Sequence, residues 1–220
     1  MKEILLIISL ISIIAFGVYK AQSRKKTLPN EQNQPEIQEE NAEGGEKTMG
    51  LQNKKIVMVI APQDFRDQEY NEPRQILADQ GAEITTASLN IGESTGADGT
   101  KVKIDQQIQD IKAENFDAIV FIGGPGMIGL TNNEDFKTKA QEFFEADKLT
   151  TAICIAPEIL ANAGILKGKK ATVSEDAKNT LINNGAEYTG NDVEIDGKII
   201  TANGPSAAKK FGEKIVENIQ

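Results

Sequence analysis

Four short apolar runs constrain this chain more than any other feature: KKIVMVIAP (54–62), AEITTASL (82–89), DAIVFIGG (117–124) and TTAICIA (150–156). None of them alternates apolar with polar residues. A strand with one wet face alternates, whereas an unbroken apolar run suits a strand covered on both faces, as in a parallel sheet. Helical patterns lie between the runs. In 133–147, Phe136, Ala140, Phe143 and Phe144 fall on one face, and in 205–219 Ala208, Phe211, Ile215 and Ile219 do the same. Residues 67–80 carry Tyr70, Ile76 and Leu77, with Pro73 expected in the first turns. Alternating strands and helices predict an α/β doubly wound domain with right-handed crossovers. VEIDGKIITAN (193–203) departs from this pattern, because Asp196-Gly197 between two short strands signals a β-hairpin.

The N-terminal region has a different texture. Residues 4–19, ILLIISLISIIAFGVY, carry no charge. As a helix they would span about 24 Å, short of a ~30 Å hydrocarbon core unless flanking residues help. Two readings stand: a transmembrane anchor within 1–19, or a secretory signal peptide with small residues around Ala15-Phe16-Gly17. Lys20, Arg24, Lys25 and Lys26 on the far flank favour an anchor with a cytoplasmic domain. Residues 20–53 hold almost no large apolar side chain, so a disordered linker is expected there, with the folded domain at 54–220.

Composition removes several function classes. The net charge of −9 argues against a nucleic-acid partner, which needs a clustered basic face. One cysteine cannot form an internal disulfide, and a chain with no histidine lacks the common zinc ligands. No cofactor or metal motif is evident.

In open α/β sheets ligands sit beyond the carboxyl ends of the strands, and three such ends carry unusual residues. IAPQDFRDQEY (60–70) places Asp64, Arg66, Asp67 and Glu69 after the first strand. By spacing alone these suit a solvated loop and a helix start. FIGGPGMIGL (121–130) contains a formal GxGxxG, but it follows a middle strand and lacks the acidic ribose partner. It reads better as a turn that exposes backbone N–H groups toward a pocket. TTAICIAPEILANAG (150–164) ends a strand at Cys154 and turns straight into a helix, resembling a nucleophile elbow. There the helix start would lower the thiol's pKa. A buried, inert core cysteine is the competing reading.

These residues carry a resemblance. KKIVMVIAPQDFRDQE, FDAIVFIGGPG, TTAICIAPEILANAGILKGKKATV and the hairpin with its final helix resemble the DJ-1/PfpI superfamily in order and spacing. The resemblance implies a flavodoxin-like, class I glutamine amidotransferase-like fold and a homodimer. It implies a reactive cysteine at Cys154, a glutamate beside it at Glu69, and a glycine pair at Gly123 and Gly124. Ile155 and Pro157 shape the same pocket, and Ser206 in ANGPSAA is a further candidate to approach it. Two departures matter. Protease-like members carry histidine directly after the cysteine, where Ile155 stands here, and the segment ATVSEDAKNT (171–180), with Ser174 and Glu175, has none either. A Cys-His protease dyad is therefore excluded within the chain.

Three functions remain open. Cys154 could add to a small reactive carbonyl, in glyoxalase-like or deglycase-like chemistry, with Gly124 and Ile155 amides on the oxyanion and Glu69 moving the proton. It could be oxidised by peroxide, with a protonated Glu69 holding the product. Or the domain could be a catalytically silent, membrane-tethered binding module.

Overall fold

The computed structural model describes residues 50–219. The expected membrane span and all but the last few residues of the expected linker lie outside the described residues. Among the described residues no helix is long and apolar enough to cross a membrane.

The chain opens with β1 (Lys55–Val59), a short β2 (Gln63–Phe65) and α1 (Asp67–Asp79). β3 (Glu83–Ser88), β4 (Gly92–Gly96), β5 (Lys101–Ile104) and β6 (Gln106–Gln107) follow. Then come β7 (Ala118–Phe121), α2 (Glu134–Glu145), β8 (Leu149–Ile153) and α3 (Pro157–Asn162). The last part holds β9 (Lys170–Ala171), α4 (Lys178–Asn183), β10 (Glu187–Tyr188), β11 (Val193–Asp196), β12 (Ile199–Ala202) and α5 (Ala208–Asn218).

The central sheet has seven strands in the order β11-β12-β8-β7-β1-β3-β6. All neighbours pair in parallel except β11 with β12, the predicted hairpin. The parallel order is the flavodoxin-like doubly wound one, and it reverses direction between β1 and β7.

The non-alternating runs are explained by what covers each face. Ile56 and Met58 of β1 join Val120, Ile200, Phe211 and Ile215 under α1 and α5. Val57 and Val59 face the other way and join Ile119, Phe121, Phe136 and Phe143 under α2 and α3. Both sides of each strand need apolar residues, and each such side chain contributes about 1.5–3 kcal/mol when buried.

Two helix expectations need correction. Phe144 does not share the buried face of α2; it is 36% exposed, while Phe136, Ala140 and Phe143 are fully covered. Pro73 sits in the middle of α1, not its first turns. It has no N–H to donate to the carbonyl of Glu69 one turn earlier. It packs against α5: a Cβ on Gly212 would lie 2.9 Å from the Pro73 Cα, so only a glycine lets the two helices approach this closely.

Polar segments the sequence pattern did not reveal form two further small sheets. One is β2-β4-β5 and the other β9-β10. The first matters to the site because of Asp67. Its nearly buried carboxylate accepts hydrogen bonds from the amides of Asp98 and Thr100, each at 2.7 Å, and so pins the β4–β5 turn to the start of α1.

Candidate active site

The carboxyl ends of β1, β7 and β8 meet where the sheet reverses direction. Cys154 is the first residue after β8 and has φ +66°, a left-handed conformation that costs a non-glycine residue energy. Neighbouring backbone enforces it. The Cys154 amide donates to Ala202 O of β12 at 2.9 Å, and the Cys154 carbonyl accepts from Ser174 N at 2.8 Å. Pro157 then starts α3, where its fixed φ suits the first helical turn. The elbow expected from the sequence is thus present, and the side chain at its tip is half-buried.

Glu69 lies in the first turn of α1 and is 0% exposed. Neither of its carboxyl oxygens has a hydrogen-bond partner of normal geometry. Both the Cys154 thiol and the Gly123 amide nevertheless lie close enough to act on its charge. Gly123 makes the meeting possible. A Cβ there would fall 2.7 Å from the Cys154 Cβ and 2.9 Å from Glu69 Oε2, inside contact distance of both. Gly124 has φ +111°, and a Cβ would lie 2.3 Å from the Arg66 amide nitrogen. The glycines of the 121–130 loop are therefore required for close approach and turn geometry, and no nucleotide fingerprint is needed to explain them.

The electrostatics of the pair correct one expectation. The thiol is not acidified. Burial and the charge and close contact of the Glu69 carboxyl group push Cys154 up to about 12, outweighing the amides of Gly124 and Ile155, which act in the lowering direction. The helix it faces is only six residues long, too short for its dipole to outweigh this burial. Burial also pushes Glu69 up to about 7, against the lowering effects of the thiol, Arg66 and the Gly123 amide. Between about 7 and about 12 the two groups together hold one proton. That proton can reside on sulfur or on oxygen, so the arrangement is a proton-sharing couple, not a standing thiolate.

The remaining candidates divide. Ile155 is half-buried against the core, and its amide acts on the sulfur. Ser206 is exposed in the turn before α5, and no hydrogen bond joins it to Cys154 or Glu69. Glu175, in the segment after β9, pairs with Lys178 and accepts from the Tyr188 hydroxyl at 3.1 Å, away from the thiol. Two residues that spacing alone assigns to a solvated loop and helix start border the site instead: Asp67 staples the β4–β5 turn, and the Arg66 backbone amide donates to Gly123 O at 3.0 Å. No group of three or more histidine, cysteine, aspartate or glutamate side chains among the described residues is placed to hold a metal ion.

The family model described as DJ-1/PfpI family matches residues 54–218. The chain belongs to the DJ-1/PfpI family. An uncharacterized protein of Methanocaldococcus jannaschii is 39% identical over 178 residues, covering 80% of this chain and 87% of that protein. Deglycase PfpI of Pyrococcus furiosus is 32% identical over 149 residues, covering 68% of this chain and 90% of its own length. Among solved DJ-1/PfpI structures, a ThiJ/PfpI domain protein from Brachyspira murdochii superposes with a TM-score of 0.74 at 31% identity, covering 76% of this chain and 96% of that one.

Proposed function

We propose that this DJ-1/PfpI-family protein is a thiol-dependent enzyme acting on small reactive carbonyls, with Cys154 as nucleophile and Glu69 as the group that accepts and returns the proton. The observation that carries this reading is the Glu69 carboxyl group, fully buried, without a hydrogen-bond partner of normal geometry, and set against a thiol on a strained elbow. Buried polar groups left unpartnered are costly, and they concentrate where chemistry needs them.

In the first step sulfur bonds to the aldehyde carbon of a 2-oxoaldehyde. The thiol proton passes through Glu69 to the former carbonyl oxygen, giving a hemithioacetal. The Gly124 and Ile155 amides stabilise the developing negative charge on that oxygen. Glu69 then removes the proton on C1 and returns it at C2, while the C1 hydroxyl proton shifts to the C2 oxygen, which yields a 2-hydroxy thioester. Water cleaves the thioester to a 2-hydroxy acid and regenerates the thiol. Electrons balance within the substrate, so no external oxidant is required. This scheme suits a thiol raised to about 12, because it calls for a proton acceptor at the moment of attack and not for a resident thiolate. Peroxide oxidation depends on a standing thiolate and is served less well. Relatives that bear the name deglycase add support. The apolar run at 4–19 supports a membrane-tethered setting for this chemistry.

The test is methylglyoxal consumption with lactate as product, measured on the full chain. Cys154→Ala should abolish turnover, and Glu69→Gln should lower it by about 10²–10⁴-fold. Lactate formation that survives Cys154→Ala would overturn the assignment.

A further inference from the structure

A hollow of about 390 Å³ lies between α1, β3 and β5, and its lining includes neither Cys154 nor Glu69. Three cations line it. Lys101 and Lys103 are two apart on β5, so they share one face of that strand. Arg74 stands one turn after Tyr70 on α1, its guanidinium 6.0 Å from the centre of the Tyr70 ring. The nearby carboxylates neutralise these charges only in part. Glu93 takes Lys101 at 2.9 Å, and Asp105 accepts a hydrogen bond from the Thr86 amide at 2.9 Å. Arg74 and Lys103 make no ion pair among the described residues. In a chain of net charge −9, like charges gathered around one hollow repel each other and draw an anion there. The rest of the wall is polar and held in place. The Tyr70 hydroxyl and Thr86 Oγ1 are 2.8 Å apart, and the Asn71 amide donates to the Thr100 hydroxyl at 3.3 Å. The volume falls in the range of small-molecule sites. A long polyanion would meet the acidic surface beyond the hollow, so the charge balance selects a compact ligand.

We propose that this hollow is a second binding site, separate from the thiol, for a small phosphate monoester with a hydroxylated body, a sugar phosphate being the simplest kind. Arg74 presents a planar fork to two phosphate oxygens, and Lys103 adds a point charge. Lys101 exchanges Glu93 for the phosphate when the ligand enters. The hydroxyl and amide groups of Thr86, Tyr70 and Asn71 face the body of the ligand. The site stands independently of the carbonyl chemistry proposed above.

The experiment is calorimetric titration of the full chain with ribose 5-phosphate, inorganic phosphate and ribose at constant ionic strength. Ribose 5-phosphate should bind one per chain and more tightly than inorganic phosphate, and ribose alone should give no heat of binding. Arg74 and Lys103 are exposed, so Arg74→Gln and Lys103→Gln should fold and melt as the wild type does. Each should weaken ribose 5-phosphate by about tenfold or more, and Arg74→Lys should retain part of the affinity. Lys209, on α5 outside the hollow and 77% exposed, is the control for diffuse charge, and Lys209→Gln should bind as the wild type does. Equal losses in Lys209→Gln and Arg74→Gln overturn the site. Wild-type protein that binds neither phosphate compound overturns it as well. Inorganic phosphate binding as tightly as ribose 5-phosphate overturns the phosphate-monoester assignment. Binding lost in Cys154→Ala but kept in Arg74→Gln moves the ligand to the thiol and overturns the second site. Methylglyoxal turnover is read separately, so failure of the carbonyl chemistry leaves this result untouched.

Discussion

The carboxyl group of Glu69 meets the thiol of Cys154 across the bare Cα of Gly123, with no room for even one methyl group between them. Everything distinctive about the site follows from this contact. Burial raises both groups; the Glu69 charge raises the thiol further, whereas the thiol favours the Glu69 carboxylate. The result is a couple that shares a proton over the neutral range and contains no histidine.

The pH dependence of turnover follows directly. Glu69 must be a carboxylate to receive the thiol proton, and it becomes one only above about 7. The rate kcat/KM should therefore rise about tenfold per pH unit below that value and level off above it. A profile measured on Glu69→Gln should lose this limb. A wild-type profile that is flat from pH 5 to 8 contradicts the assignment.

Stability should carry the same signature with a definite sign. Glu69 ionises near 4.5 when unfolded and near 7 when folded, so the native state holds the extra proton between those values. Its contribution is full below about 4.5 and is lost as pH rises through about 7. The stability of the wild type relative to Glu69→Gln should fall by about 3 kcal/mol between pH 4 and pH 8. Urea unfolding at both pH values measures it, and a difference that grows with pH would be the wrong sign.

Gly123→Ala tests the close approach. The added methyl meets the Cys154 Cβ, a Glu69 oxygen and the Ile153 carbonyl, all within 2.9 Å, so the backbone must shift. Overpacking of this kind costs about 1–3 kcal/mol. The variant should fold, melt lower and lose most of its methylglyoxal turnover. Full activity in a folded Gly123→Ala protein would show that the contact is dispensable.

Asp67 is expected to matter for structure rather than chemistry. Burial tends to raise its pKa, but the hydroxyl of Thr100 and the amides of Asp98 and Thr100 hold it below the usual carboxylate value. Asp67→Ala should cost about 1.5–3 kcal/mol, since it removes charge-assisted bonds to two amides. Hydrogen exchange at the Asp98 and Thr100 amides should speed up, while Cys154 alkylation by iodoacetamide changes less than it does in Gly123→Ala.

The sheet was legible because its strands are covered on both faces. Ile56, Val57, Met58 and Val59 all had to be apolar, and that run has no other common explanation. β4, with the sequence Gly-Glu-Ser-Thr-Gly, gave no such signal, because its pairing rests on backbone hydrogen bonds and on the distant Asp67. The elbow at Cys154 could be read from a strand, a cysteine and a proline in succession. The thiol's electrostatics could not, because they depend on how deeply α1 buries Glu69. Phe144 illustrates the limit of periodicity: it lies about 100° around the helix from Phe143, at the edge of the stripe, and stays 36% exposed.

The bond from the Cys154 amide to Ala202 O reaches across 48 positions of sequence. During synthesis, the cysteine leaves the ribosome well before the strand that fixes its backbone. Until β12 slots in beside β8, the sulfur sits on an ordinary floppy segment with no acid held against it. The pairing of thiol and carboxyl group is thus completed only when β12 is in place, and until then the thiol keeps its ordinary value near 9.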